Sequence, residues 1–282
     1  MMSDEARIIK GQVDWAERHV IEFDRSNVCA TVDDNLFIPL RPQTEAEFGR
    51  GAGDELGRPG AAGSMASLRS SAALAVNFFD PWRGTDLGPL TELIAADRWA
   101  DRLRFEVTYP TGLKGIPPHL DVVIDQQGHI PVGIESKFTE VYSTAHNEFR
   151  PSYFDAPGLW DDMTRTRELA EGIAAGTEHF DTLGAAQLIK HLLGFKREYG
   201  VGRFRLLYLW YEWPGEIARR HRAQLSRFSN SIDSELDFAA LTYQQLFERL
   251  RTVEEPQSGY LAYLEDRYFA GEQPSPRVRS GR

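Results

Sequence analysis

The chain has 282 residues, enough for one large domain with extensions, and its 41% hydrophobic and 26% charged residues are typical of a globular protein and not of a disordered one. Its net charge of −10 argues against a protein that coats nucleic acid through its general field, although a local basic groove is compatible with it. The single cysteine excludes an intrachain disulfide and a cysteine-based metal cluster, and it fits a reducing cytoplasmic location. We find neither a signal-peptide core nor an apolar run long enough to span a bilayer, so we expect no membrane partner.

Residues 1–66 predict an N-terminal extension that ends in a glycine-rich linker. An amphipathic stretch covers 13–23, and glycines and prolines then interrupt 41–66 repeatedly, which is typical of a flexible loop or linker. Arg50 and Arg58 lie in this linker. They could wrap a nucleic acid duplex, and an inert linker explains them equally well.

The pattern of apolar residues changes from helical to strand-like along the middle of the chain. Helical spacing predicts a helix from about Ser67, which Asp80-Pro81 ends, and a second short helix follows. Alternating patterns then predict three strands, and a tight turn at 126–129 joins the second strand to the third. The short helix is predicted over 89–99, and the strands over 104–109, 120–125 and 130–138.

The second half of the chain combines further helices with one strongly apolar strand. An amphipathic helix is predicted over 185–199, and the almost continuous apolar run of 204–213 predicts a buried central strand. Another helix begins at Pro214, a position that proline favours. Further helices are predicted over 160–175, 242–251 and 259–269, and residues 271–282 are expected to form a disordered tail.

The order helix, three strands, helix, strand indicates an α/β fold in which a mixed sheet is flanked by helices on both faces. We expect this core to span 67–230, with an irregular insertion at 139–183. Residues 231–270 are then expected to be C-terminal helices that pack on the core.

Ionisable residues gather on the predicted strands. Glu135 and Lys137 share one face of the third strand, because side chains alternate and the apolar residues occupy the other face. The hairpin brings Asp121, at the start of the preceding strand, close to them, and Glu106 on the strand before could add a carboxylate. Two carboxylates can hold a hard divalent cation, and a nearby lysine can position a water, a combination suited to phosphodiester hydrolysis. The alternative is an ion-pair network exposed on an edge strand.

Two short segments resemble a known nuclease signature. Pro118-His119-Leu120-Asp121, followed by Gly133-Ile134-Glu135-Ser136-Lys137-Phe138, is similar to the motif of the PD-(D/E)XK nuclease superfamily, which includes many restriction endonucleases. The core of that superfamily has the order helix, three strands, helix, strand, and the resemblance covers residues 67 to 213. The first part of the motif is relaxed here, since Leu120 precedes the aspartate.

The resemblance implies a restriction-endonuclease-like core and a role for each residue of the motif. Asp121 and Glu135 would bind Mg²⁺, for which Mn²⁺ can substitute, and Lys137 would be the catalytic lysine. Glu106 would be a further metal ligand, although an acid at that place varies among relatives.

The helix after the third strand offers more candidates by the same resemblance, since in many relatives it contributes polar residues to the site. Here Gln187 is the candidate catalytic residue, and Lys190 and His191 lie on the same helix. Gln187 and His191 are four residues apart and share a face. A solvated helix edge would explain them equally well.

We therefore expect a metal-dependent nuclease, best described as a DNA endonuclease of restriction or defence type that acts on double-stranded DNA. Cleavage of both strands by one active site per chain would favour a homodimer.

Two alternatives stay open. One is a catalytically silent relative that binds nucleic acid or protein, and the other is an enzyme that uses Glu106, Asp121 and Glu135 as acid/base groups, for instance on a glycoside. The seven histidines lack metal-ligand spacing, so we expect no zinc site.

Candidate DNA contacts lie on two segments. Arginines on the helix after Pro214 could grip phosphates, although a solvated basic face explains them more simply. The insertion 139–183 follows the third strand directly, and there we would look for target recognition. The helix carries Arg219, Arg220, Arg222 and Arg227, and the insertion carries Tyr142, His146, Arg150, Tyr153, Arg165 and Arg167.

Overall fold

A computed structural model describes residues 2–51, 53–58, 60–94, 100–125 and 129–270. Its strands form a minimal hairpin near the N-terminus and a five-stranded sheet around which the rest of the chain packs. The strands are β1 (Gly57–Arg58), β2 (Ala61–Ala62), β3 (Arg102–Thr108), β4 (His119–Asp125), β5 (Val132–Lys137), β6 (Arg205–Trp210) and β7 (Asp237–Thr242).

The large sheet is mixed, and β5 is its central strand. The strand order is β3-β4-β5-β6-β7. Strands β3, β4 and β5 pair antiparallel, whereas β5, β6 and β7 pair parallel. Strands β5 and β6 are buried along almost their whole length, as expected for parallel strands that are covered on both faces. The predicted α/β fold with a mixed sheet is confirmed.

Helices flank this sheet. No helix in the described part of the chain combines the length and the apolarity that a membrane span requires. The helices are α1 (Asp4–Arg18), α2 (Pro42–Phe48), α3 (Ser71–Phe79), α4 (Gly88–Leu93), α5 (Ser152–Asp155), α6 (Thr164–Ala175), α7 (Ala185–Tyr199), α8 (Glu216–Ile232), α9 (Tyr243–Leu250) and α10 (Tyr260–Leu264), and a π-helical turn follows at Glu265–Phe269.

Helices pack on both faces of β5. A Cβ on Gly133 would lie 2.5 Å from side-chain atoms of Leu120 and Phe195, so this glycine permits the close approach of α7. Ser136 points to the opposite side of β5 from its neighbour Glu135. Its hydroxyl lies 2.6 Å from the hydroxyl of Tyr243 on α9. Residues of β5 are therefore enclosed on the α7 side as well as on the α9 side.

Two segments differ from the sequence prediction. Within 41–66, predicted as a flexible linker, the chain forms α2 and the β1-β2 hairpin, and Pro42 lies in the first turn of α2, where its missing amide donor costs nothing. Within 231–270, predicted as helical, β7 joins the sheet beside β6 before α9 begins. Its sequence, Asp-Phe-Ala-Ala-Leu-Thr, has small residues in place of the alternating β-branched ones that mark a strand.

Some predicted features lie outside the described residues. These are residues 126–128 of the predicted hairpin turn, residues 95–99 at the end of the predicted short helix, and the predicted disordered tail at 271–282. The helix predicted over 185–199 is confirmed with the same bounds.

Candidate active site

The register of β4 and β5 brings Asp121 and Glu135 side by side. The last pair between these strands is Val122 with Ile134, and Asp121 and Glu135 are the next residues on the two strands beyond it. The Asp121 carboxylate accepts a hydrogen bond from the Ser136 amide, with 2.6 Å between Oδ2 and N. Regular sheet structure, and not a loop, therefore holds the two acids together.

Glu135 lies at the centre of a buried polar cluster. Lys137 Nζ lies 2.6 Å from its Oε1, and His191 Nε2 on α7 lies 3.0 Å from its Oε2. The contact with His191 is within ion-pair distance but lacks the angles of a hydrogen bond. The side chains of Glu135 and His191 are each 2% exposed, and that of Lys137 is 18% exposed. An exposed network on an edge strand is excluded, because β5 is central and α7 covers it.

The charges in this cluster shift one another's pKa values. Burial raises the pKa of Glu135, but the charge of Lys137 and the contact with His191 outweigh it and hold the pKa at about 2. For Asp121, burial and the charge of Glu135 raise the pKa well above its ordinary range. The pKa of Lys137 is also raised, because the charges of Glu135 and Asp121 outweigh the effect of burial. Glu135 and Lys137 therefore form a charged pair, and Asp121 feels the repulsion of a second carboxylate.

Glu106 is the third acid that the sequence places near the site. It has a φ of 50°, a backbone conformation that non-glycine residues rarely adopt. The β3–β4 pairs on either side are Phe105 with Val122 and Val107 with Leu120, and the step between them is missing from the ladder. Burial, with the charges of Glu55 and Glu135, raises the pKa of Glu106 to about 7.

Glu55 is an acid that sequence reasoning did not connect with the site. It lies in the glycine-rich segment, which approaches Glu106 so closely that a Cβ on Gly51 would be 3.3 Å from Glu106 Oε2. The Oε2 atom of Glu55 is buried without a hydrogen-bond partner in the described part of the chain. Nothing in a stretch that resembles a linker indicates such a contact, because it depends on how the segment folds back onto β3.

The three candidates on α7 have different surroundings. Gln187 is exposed, and within the described residues it makes no hydrogen bond to the acids, so the structure does not bring it into the cluster. Lys190 donates to the carbonyl of Glu148, on the insertion. His191 alone reaches Glu135. Helical spacing places Gln187 and His191 on one side of α7, but only His191 is buried.

The residues present suit a divalent cation bound by two carboxylates. Asp121 and Glu135 supply hard oxygen donors, and a cation between them would relieve the repulsion that raises the pKa of Asp121. Across residues 2–51, 53–58, 60–94, 100–125 and 129–270, no three His, Cys, Asp or Glu side chains form a group that could hold one ion. Two protein ligands with water completing the shell is a common arrangement for Mg²⁺.

The predicted nucleic-acid contacts are largely occupied by other partners. The arginines on α8 are exposed, as predicted, but three pair with carboxylates, and one of these also donates to a backbone carbonyl. In the insertion, Tyr142 is buried and its hydroxyl donates to the carbonyl of Tyr211, whereas His146 and Arg150 are exposed. The pairs on α8 are Arg219 with Glu216, Arg222 with Glu212, and Arg227 with Glu178 and with the carbonyl of His179.

Fold and site together define an α/β protein whose central strand carries a buried carboxylate–lysine pair, with a second acid on the neighbouring strand. A family model described as restriction endonuclease associating with ARP matches residues 17–269. The match covers most of the chain, and the chain belongs to that family. Neither the search of curated proteins nor the search of solved structures gives a match.

Proposed function

We propose that the chain is a metal-dependent nuclease that hydrolyses phosphodiester bonds, and that it acts as a DNA endonuclease of restriction or defence type. The observation that carries this proposal is the buried cluster of Asp121, Glu135 and Lys137 on the two central strands of a chain that belongs to a restriction-endonuclease family. Burying a carboxylate and an ammonium is costly, so a pair kept at the centre of a sheet calls for a functional reason.

The element order also supports a PD-(D/E)XK-type core. Helix α3, strands β3 to β5, helix α7 and strand β6 occur in the order of that core, with α4 inserted before β3 and α5 and α6 inserted before α7. Strand β5 pairs antiparallel with β4 and parallel with β6. Helix α2 and strand β7 are additions on the two sides. Double-stranded DNA as substrate and a homodimer that cuts both strands remain part of the proposal.

Asp121 and Glu135 would hold Mg²⁺ or Mn²⁺. Glu106 stands opposite Asp121 in the register of β3 and β4 and would act on the ion through its charge or a bound water, since the three acids form no common three-ligand group in the described chain. When bound, such an ion would polarise the phosphoryl oxygen and lower the pKa of a water that can attack the phosphorus. The Ser136 amide orients the Asp121 carboxylate by its hydrogen bond to Oδ2. His191 faces Glu135 from α7 and restricts the rotation of its carboxylate.

Lys137 is the group that we expect to act on the reacting atoms. Its side chain is 18% exposed, whereas that of Glu135 is 2% exposed, so its ammonium can reach a substrate phosphate or the attacking water. The acids beside it keep it protonated, because they raise its pKa. A fixed positive charge there stabilises the charge that develops on the phosphoryl oxygens.

One observation favours a second candidate, a catalytically silent module that binds nucleic acid or protein. Both oxygens of Glu135 already face a neighbour, Lys137 on one side and His191 on the other. These contacts would satisfy the carboxylate without an ion. The two candidates differ in whether the chain cleaves nucleic acid at all.

The test is cleavage of supercoiled plasmid DNA, methylated and unmethylated, and of RNA, with Mg²⁺ or Mn²⁺. The variant Asp121→Asn keeps the shape of a side chain whose pKa is already raised, so we expect it to fold and to lose about a hundredfold or more in cleavage rate. The matched control is Asp125→Asn, at the other end of β4. Asp125 pairs with Arg102 and Arg104, away from the cluster, so we expect this substitution to leave cleavage intact.

Metal-dependent nicking or linearisation that Asp121→Asn abolishes and Asp125→Asn retains would establish the nuclease. Cleavage that both variants retain would reject this site. Absence of cleavage on every substrate would favour the silent module.

A further inference from the structure

The backbone of β3 is strained at the point where it meets the site. Glu106 has a φ of 50°, and the strand loses a step of its pairing with β4 there. A non-glycine residue in the left-handed region is unfavourable and persists only where surrounding contacts hold it. Such a conformation beside a cluster of acids raises the question of which contacts hold it.

Three contacts converge on Phe105, the residue immediately before Glu106. Glu47 Oε2 accepts a hydrogen bond from the Phe105 amide at 3.0 Å. The ring of Phe48 stacks on that of Phe105 with 5.7 Å between centroids, and the guanidinium of Arg83 lies 5.4 Å from the same ring. All three side chains come from α2 and the turn after α3, outside the sheet.

Glu47 is itself held firmly. Arg83 Nη2 lies 2.6 Å from Glu47 Oε2, and Arg83 Nε lies 3.1 Å from Asp80 Oδ1. Thr44 donates to the same oxygen of Asp80 at 2.6 Å. The side chains of Glu47 and Arg83 are 8% and 9% exposed, and that of Asp80 is fully buried. Because this network is buried and its members are hydrogen-bonded to one another, it is rigid and can hold β3 in place at Phe105.

The position of β3 explains why a carboxylate is useful there. The strand lies at the edge of the sheet, with β4 on one side and no strand of the described chain on the other. The Phe105 amide donates to a side chain, that of Glu47. A charged acceptor makes a stronger hydrogen bond to an amide than a neutral one does. Glu47 therefore anchors β3 from outside, one residue before the ladder is interrupted.

We propose that Glu47 is a positioning residue of the nuclease site, which clamps Phe105 and so fixes the left-handed Glu106 at its place opposite Asp121 in the register of β3 and β4. This inference rests on the proposed function. It assigns α2, in the segment that the sequence predicts as a linker, a part in metal binding. If Glu47 only stabilised the fold, its removal would lower the unfolding temperature and leave the metal affinity of the folded protein unchanged.

The experiment is calorimetric titration of the full chain with Mn²⁺, beside thermal unfolding, for the wild type, Glu47→Ala, Glu47→Gln and Glu235→Ala. Glu235 is the matched control, because its carboxylate also accepts backbone amides, those of Arg165 and Thr166 at 2.7 and 3.0 Å, but at the start of α6. All titrations are made below the unfolding temperature of each variant.

We expect Glu47→Ala to weaken Mn²⁺ binding by about 10- to 100-fold, the usual effect of removing a residue that orients a ligand. Glu47→Gln should recover part of the loss, since its carbonyl oxygen can accept from the Phe105 amide. Glu235→Ala should lower the unfolding temperature without changing affinity. Unchanged affinity in folded Glu47→Ala would overturn the inference and leave the proposed function standing.

A second variant covers the case in which Glu47→Ala does not fold. Glu106→Gly removes the carboxylate and relieves the positive φ, so it should unfold no lower than the wild type and still bind Mn²⁺ more weakly. Unchanged affinity there would overturn the inference as well. If the wild type binds no Mn²⁺ at all, the proposed function fails and the inference fails with it.

Discussion

Glu135 and Lys137 illustrate how costly the site is for the folded chain. Each charge loses its hydration when it is buried, and only the close contact of the two groups offsets that loss. His191 adds a second polar neighbour to Glu135. Removing one member of such a pair leaves a buried charge, so a test of function at this position is also a test of stability.

At this scale we predict that Lys137→Met lowers the free energy of unfolding by about 3–5 kcal/mol, because Glu135 then remains buried without its main partner. The double variant Glu135→Leu/Lys137→Met should recover most of that loss, since no charge is left unpaired. Denaturant unfolding at neutral pH measures both. A double variant that is no more stable than the single one would contradict the account of the pair.

Residue alternation was sufficient to predict that Glu135 and Lys137 share a face and that Asp121 lies near them. It was not sufficient to predict burial, because the polar face of β5 becomes buried only when α7 packs over Gly133. The positive φ of Glu106 has no local signal either. Whether these residues bind a metal stays a prediction.

Helix α8 shows how an ionisable side chain is buried between two elements. The ring of His221 lies 4.7 Å from that of Trp210 and 5.6 Å from that of Tyr208, both on β6. Its Nδ1 is 3.0 Å from the hydroxyl of Thr182, and its Nε2 is buried without a hydrogen-bond partner in the described structure. Burial lowers the pKa of His221 to about 4, from an ordinary value of 6.5.

We therefore predict that His221 makes the fold sensitive to acid. Between pH 6.5 and about pH 4, His221 binds a proton in the unfolded chain but not in the folded chain. The stability present above pH 6.5 is therefore lost as the pH falls through this window. The limiting slope is about 1.4 kcal/mol per pH unit for one such group. Urea unfolding between pH 7 and pH 4.5 measures it.

His221→Asn should reduce this slope, because asparagine does not titrate, while the exposed His146→Asn should keep it. Equal slopes for the wild type and His221→Asn would show that other groups cause the acid sensitivity. Carboxylates of the fold are present in both proteins, so the comparison isolates the histidine.

Elements with strong periodicity were predicted well, and short or atypical ones were not. The apolar stripe of α7 fixes its bounds, and the apolar run of β6 marks a buried strand. Strand β7 was missed because two alanines replace the residues that favour strands, and tertiary pairing with β6 overrides that preference. Helix α2 was missed because the glycines after it dominate the pattern of its segment.

At the scale of the whole molecule, the two ends of the described chain pack together. Arg267, in the π-helical turn, is buried and donates to the carbonyl of Asn35 at 2.7 Å and to the side chain of Gln12 on α1 at 3.1 Å. Its guanidinium lies 4.2 Å from the ring of Trp15. The first 66 residues are therefore part of the packed fold, and we expect the site to need them, because α2 and the glycine-rich segment approach β3.

The central claim is that Asp121 and Glu135 form one metal site. The most direct test is a calorimetric Mn²⁺ titration of the wild type beside Asp121→Asn, Glu135→Gln and the control Asp125→Asn. We predict that the wild type and Asp125→Asn bind Mn²⁺ with similar affinity, and that Asp121→Asn and Glu135→Gln each lose at least about tenfold in affinity, since each removes a charged ligand oxygen. Affinity that is unchanged in Asp121→Asn and Glu135→Gln, or a wild type that binds no Mn²⁺, would contradict it.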